Sequence, residues 1–184
     1  MPISPDRLEA SVSVPDGVSV SMRRGVMRVE GPLGRTHKSF RKIPVDVEVG
    51  EGSVRLSARG PRKRDYAILN TSRSIVRNLV EGIREGYTLK MKVVYAHFPV
   101  SVKVEGREVL VENFQGEHAP RRAGIVGETK VEVKGDDVIL TGAVLTDVTQ
   151  TAANIQQNTR IKKKDHRVFL DGIYVYEKSR GLEK

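Results

Sequence analysis

The 184-residue chain contains no cysteine. That excludes a disulfide framework, a thiolate metal site and a cysteine nucleophile. Tryptophan is absent too, and aromatic residues make up only 5% of the chain. A single-strand binder built on stacked bases needs exposed aromatics along a groove. Recognition of folded nucleic acid by shape and phosphate fits this composition better. No apolar run approaches the ~18 residues of a membrane span. The opening Met-Pro-Ile-Ser-Pro-Asp lacks the basic-then-apolar pattern of a signal peptide, so a cytoplasmic protein without a membrane partner is expected. His37, His97, His118 and His166 are scattered, with no metal-ligand spacing. No dinucleotide fingerprint, P-loop or nucleophile–base pair is legible, so neither an enzyme nor a cofactor is expected.

What the chain has is positive charge. Its formal net charge is +9 and its isoelectric point is near 9.9, which points to a polyanionic partner, most commonly nucleic acid. Up to Tyr95 there are 18 basic and 10 acidic residues; afterwards there are 14 and 13. The second half is therefore nearly neutral in sum but polarised. Glu105, Glu108, Glu112, Glu117, Glu128, Glu132, Asp136 and Asp137 precede a late cationic run. A polarised domain presents one cationic face, which suits oriented docking.

Two pairs of segments resemble each other. Val47–Leu56 matches Val131–Leu140, and Val18–Glu30 matches Val100–Glu112, at offsets of 84 and 82 residues. Each reads as a hairpin: alternating apolar positions flank a Gly-containing turn. Two matches in the same order at nearly one offset indicate a duplication. Each copy is expected to hold two hairpins joined by a long loop, then a helix and a last strand. Asp65 is expected to cap a helix from Tyr66 to about Val80, with Ile68, Ser72, Ile75, Val76 and Leu79 inward and Gly82 ending it. The second helix is expected to start at Asp147 or Thr149, with Ala152, Ile155 and Thr159 on one face. The last strands are expected at Tyr87–Tyr95 and Val168–Tyr176. The fold class is then α+β: two tandem similar domains, 1–95 and 96–184. Each is a twisted, mostly antiparallel sheet with one helix on one face.

The late run holds Arg160, Lys162, Lys163, Lys164 and Arg167, with Asp165 among them. One or two cations would complement a helix C-terminus; five exceed that need, although such a run also resembles a nuclear-localisation patch. Phosphate contact is the reading favoured by the whole-chain charge. Arg59, Arg62, Lys63 and Arg64 form a second candidate in a Gly-Pro turn before the first helix. Arg35–Lys42 and the pair Arg121 and Arg122 occupy matching places between hairpins, where exposed loop is the competing reading. Gly31-Pro-Leu-Gly34 and Gly124-Ile-Val-Gly127 fit a bare G-x-x-G, but lie between strands, so a turn is expected rather than a nucleotide clamp.

The segment Asn158-Thr-Arg-Ile-Lys-Lys-Lys-Asp-His-Arg-Val-Phe-Leu-Asp-Gly-Ile-Tyr-Val175 resembles the closing signature of the universal large-subunit ribosomal protein L-six family, archaeal and eukaryotic branch. Gly31-Pro-Leu-Gly34 is similar to that family's early motif, and the resemblance covers essentially the whole chain. The bacterial branch's Tyr-Lys-Gly-Lys-Gly run is missing. The resemblance implies a structural constituent of the large ribosomal subunit in the cytoplasm, made of two α+β domains. It implies large-subunit rRNA as partner, bound mainly through the second domain by Arg160, Lys162, Lys163, Lys164 and Arg167, with Asn158 adding a polar contact. It also implies neighbouring ribosomal proteins near the lateral stalk base and the sarcin–ricin loop, where translational GTPases dock. A free RNA-binding or ribosome-assembly factor using the same surface is the alternative.

Overall fold

The computed structural model describes residues 8–96, 98–162, 164–165 and 167–182. They form two compact units, divided between Glu85 and Gly86. Both are α+β with antiparallel sheets and one α-helix each.

In the first unit, β1 (Glu9–Ser13), β6 (Ser53–Ala58) and β5 (Val45–Gly50) make one sheet in the order β1-β6-β5. A second sheet runs β2 (Ser19–Arg23), β3 (Val26–Gly31), β4 (Gly34–Ser39). Strict alternation in the central strand sets the inner face of each sheet: Val54 and Leu56 of β6, and Met27 and Val29 of β3, are fully buried, while Arg55 and Arg28 between them face water. The helix α1 (Lys63–Glu85) covers them with Leu69, Ser72, Val76, Leu79, Val80 and Ile83 at three-to-four spacing. It starts earlier and ends later than expected. Asp65 lies inside the first turn, where its carboxylate accepts the Arg62 backbone N–H at 3.1 Å, half of a capping box. Gly82 is buried within the helix, and the chain leaves α1 at Gly86, whose φ is +80°.

The second unit repeats this plan and adds a strand. The order β11 (Lys130–Lys134), β12 (Asp137–Gly142), β7 (Tyr87–Val94), β13 (Gly172–Arg180) forms one sheet. The other runs β10 (Arg121–Gly124), β9 (Glu108–Glu112), β8 (Ser101–Glu105). The helix α2 (Leu145–Asn158) buries Val148, Thr151, Ala152 and Ile155. They pack in a core with Leu89, Met91, Val109, Val111, Phe114, Val138, Leu140 and Ile173.

The duplication extends to register. Val47 pairs with Leu56 and Val131 with Leu140; Val20 pairs with Val29 and Val102 with Val111. The division of the chain differs from the expected one after residue 95. The strand 87–94 pairs with β12 and β13, so it opens the second unit instead of closing the first. Its counterpart is β1. Ala10 and Val12 face Leu56 and Val54, as Leu89 and Met91 face Leu140 and Val138. Comparing hairpins could not assign a strand flanked by both copies; only its partners decide. The two supposed loops are also strands. Thr36 and His37 lie in β4, and Arg121 and Arg122 in β10, because each chain segment completes an antiparallel edge. Finally, the last strand begins at Gly172, not Val168. Val168 and Leu170 remain more than half exposed in the turn before it.

Gly31-Pro-Leu-Gly34 is the β3–β4 hairpin turn, with Gly31 paired to Gly34. Gly34 has φ +114°, a region closed to other residues. Gly31 has a packing reason: a Cβ there would come within 2.5 Å of Ile83 Cγ2 and 3.3 Å of Val18 Cγ2. The Leu33 N–H also donates to the Ile83 carbonyl at 3.1 Å, so the turn sits directly on the end of α1. Gly31→Ala should therefore destabilise the protein by about 1–3 kcal/mol through overpacking. Urea unfolding followed by circular dichroism measures this.

Candidate nucleic-acid interface

The late cationic run follows α2 in a segment whose side chains alternate. Thr159 and Ile161 are buried, whereas Arg160 and Lys162 are exposed. Thr159 fixes the alternation. Its hydroxyl donates back to the Ile155 carbonyl at 3.1 Å and accepts the Ile173 N–H at 3.2 Å, tying the helix exit to β13. With Ile161 held in the core, the residues on either side of it must point outward. Arg160 and Lys162 have no side-chain partner among the described residues.

Downstream, Asp165 organises a turn. Its backbone carbonyl accepts the Val168 and Phe169 N–H groups, and its carboxylate accepts the Arg167 backbone N–H at 2.9 Å. The Arg167 guanidinium also clasps this carboxylate at 2.9–3.3 Å, which raises its pKa further, yet the side chain is 90% exposed. Exposed pairs of this kind hold weakly. The Lys164 ammonium sits 4.6 Å from the Phe169 ring centroid, a cation–π contact that keeps it at the same turn. Lys163 lies outside the described residues, as do His97 and His166.

Two candidate residues have inward roles. The Asn158 side-chain amide donates to the Arg122 carbonyl, and Asn154 donates to the Gly124 carbonyl at 2.9 Å. Asparagines four apart on α2 thus satisfy alternate outward carbonyls of β10, an edge strand. Arg121 completes the joint. Its guanidinium donates to the Asn158 and Arg160 carbonyls at 2.8 and 3.3 Å, binds Glu117 at 2.6–2.8 Å, and stacks 4.3 Å over the Phe114 ring. A cation placed on the last carbonyls of a helix also complements its dipole. Arg121 therefore holds the exit of α2 in place. Arg122 alternates outward, and among the described residues its side chain makes only an exposed pair with Glu108 at 3.1 Å.

Arg59, Arg62, Lys63 and Arg64 belong to the first unit. Arg59 is engaged with Asp46 at 2.8–2.9 Å, whereas Arg62, Lys63 and Arg64 are exposed around the first turn of α1 and have no side-chain partner among the described residues. Cations at a helix N-terminus oppose its dipole, so their presence there has no local electrostatic reason. Among the described residues no group of His, Asp or Glu could hold a metal ion, and no helix is long and apolar enough to cross a membrane.

Residues 98–172 match the profile of the family described as Ribosomal protein L6. The chain is 45% identical to the large ribosomal subunit protein uL6 of Methanosarcina mazei, over 92% of this chain and 96% of that protein. It is 43% identical to that of Archaeoglobus fulgidus, over 92% and 89%, and 41% identical to that of Methanobrevibacter smithii, over 93% and 96%. The chain belongs to the ribosomal protein L6 family. These relatives are archaeal, in agreement with the branch that the closing segment resembles. The L6 family is structural, not enzymatic.

Sequence reasoning missed two features of this L6 chain. The asparagine ladder was visible only as Asn154 and Asn158 at i,i+4 spacing, a signal shared by many solvated helix faces. On β3 and β4, Arg28 stands opposite His37 and Glu30 opposite Arg35, so one sheet face of the first unit carries two arginines. Arg35 already stands in the candidate cluster Arg35–Lys42, but that it shares a face with Arg28 becomes legible only once residues 34–39 are read as a strand.

The joint at the α2 exit gives two expectations. Arg121→Met should lose about 1.5–3 kcal/mol of stability, since it strands helix-end carbonyls and Glu117. Arg122→Met should stay within about 0.5 kcal/mol. Thermal and urea unfolding compare them. The hydrogen bond from Arg121 holds the Glu117 carboxyl below its usual range. The pair's contribution is thus complete above the ordinary carboxylate pKa and lost as pH falls through the lowered one. The stability gap between wild type and Glu117→Gln should close on acidification below about pH 4; a gap constant down to pH 2 would contradict this.

Proposed function

We propose that this chain is a structural constituent of the large ribosomal subunit in the cytoplasm and binds large-subunit rRNA. The observation that carries this reading is the α2 exit. Arg160 and Lys162 are held outward, without side-chain partners among the described residues, by an interlocked scaffold of Thr159, Ile161 and Arg121. Lys164 and Arg167 extend the same surface along the turn at Asp165. Fixed cations fit a phosphate backbone in one orientation, and their binding energy comes largely from released counterions. The archaeal relatives, matched almost end to end, are named as large ribosomal subunit proteins.

Within that reading, Arg160, Lys162, Lys163, Lys164 and Arg167 contact rRNA phosphates. Arg122 lies close by on β10 and adds a contact, while Arg121 and Asn158 act by positioning. Arg62, Lys63 and Arg64 supply a contact from the first unit, and Arg59 follows only if its pair with Asp46 opens. The resemblance stated above supports a position near the lateral stalk base and the sarcin–ricin loop, beside other ribosomal proteins and within reach of translational GTPases. RNA–protein crosslinking in assembled subunits tests this position: crosslinks from Arg160 to rRNA remote from the sarcin–ricin loop would refute it.

Changing Lys162, Lys163 and Lys164 together to Gln should weaken binding to a large-subunit rRNA transcript. It should also flatten the slope of log K against log salt by about two. Filter binding across a salt series reads both, and an unchanged slope would remove these lysines from the interface.

A further inference from the structure

Beside the cationic exit of α2 lies a groove of about 440 Å³ whose walls include Gln156, Gln157, Arg160 and Tyr174. Its floor is closed by Thr159 and Ile161, both buried. Tyr174 is the first outward residue of β13 and stays 43% exposed. Its ring is not free to swing. The hydroxyl donates to the Leu170 carbonyl at 3.2 Å and lies 3.5 Å from the Asp171 carbonyl. The ring also leans over Gly172, where a Cβ would come within 2.8 Å of Cζ and of the hydroxyl oxygen. Glycine at 172 therefore makes room for the ring, and the ring's remaining surface is presented to the groove. The side-chain amides of Gln156 and Gln157 have no partner among the described residues. Each offers a donor pair and an acceptor.

We propose that this groove receives one unstacked nucleotide of the bound RNA, with its base on the Tyr174 ring, its edge read by Gln156 or Gln157, and its phosphate at Arg160. The inference rests on the rRNA-binding reading and sharpens it. The chain is poor in aromatics, so recognition by shape and phosphate remains the main term, and this groove supplies one point of base contact within it. Single-stranded loops and bulges are where proteins read RNA sequence, and an aromatic face held in advance is the usual platform for a splayed base. The elements here are an anchored ring and, among the described residues, unpartnered amides and an unpartnered guanidinium around one groove of nucleotide size. An empty surface groove would not require the glycine beneath the ring or the hydroxyl anchored behind it.

The test uses the full chain and an archaeal large-subunit rRNA transcript. Tyr174→Ala should weaken binding roughly 5- to 100-fold, the range for loss of one stacked base. The salt slope should not change, because stacking releases no counterion. Tyr174→Phe keeps the ring and should retain most of the affinity. Since the chain has no tryptophan, Tyr174→Trp creates a single tryptophan that can be excited apart from the tyrosines, and stacking should quench it as RNA is added. This arm remains informative if Tyr174→Ala folds poorly. Wild-type affinity in Tyr174→Ala, or an unquenched Trp in a variant that still binds, overturns the groove while leaving rRNA binding intact. If the unaltered chain does not bind the transcript, the rRNA-binding reading falls and the groove with it.

Discussion

The second unit depends on one seam, where α2 lies along the edge strand β10. An edge strand leaves every second carbonyl without a partner, and such groups are costly if covered without hydrogen bonds. Asn154 and Asn158 meet that demand at the Gly124 and Arg122 carbonyls. Arg121 returns the bond, reaching from β10 to the last carbonyls of α2. Helix and strand thereby satisfy each other's orphan groups at the point where the helix ends. The cations of the second unit proposed to meet RNA depend on this joint, because it sets the direction in which Arg160 and Lys162 leave.

The two units share hairpins and register but end differently. After α1, Gly86 turns the chain directly into β7. After α2, thirteen residues intervene before β13 joins the far side of β7. That longer exit is stitched by Thr159, Ile161 and Asp165, and it carries most of the cations of the second unit's end. The extra strand and the cationic turn thus arise together. A segment that returns to a sheet edge is held at both ends, so its charges keep fixed positions without needing a helix of their own. The exposed Val168 and Leu170 lie within the same turn.

Much of this was legible from residues. Alternating valines and Gly turns gave the paired hairpins. Spacing gave part of the buried face of each helix: Ser72, Val76 and Leu79 on α1 and Ala152 and Ile155 on α2, but not Leu69, Val80, Ile83, Val148 or Thr151. The third strand of each small sheet was not legible. Gly34–Ser39 carries no apolar alternation, and its only large core residue, Phe40, follows it. In β10 only Ala123 is buried. Edge strands like these are specified by the carbonyls and N–H groups of their neighbours rather than by their own side chains. Among the candidate site residues, Arg121 and Arg122 show the same limit. Side by side in sequence they look alike, but the strand period turns one onto Phe114 and leaves the other in water.

By itself the sequence determined the fold class, the duplication, the cationic character and the family, because hydrophobic period, charge and closing motif are properties of order along the chain. The tertiary structure alone decided which strand opens the second unit and which cations are spent within the protein. Both depend on hydrogen-bond partners far apart in sequence: β7 needs β12 and β13, and Arg121 needs the end of a helix 37 residues away. Such pairings leave no local pattern, since the groups that choose them are backbone atoms common to every residue.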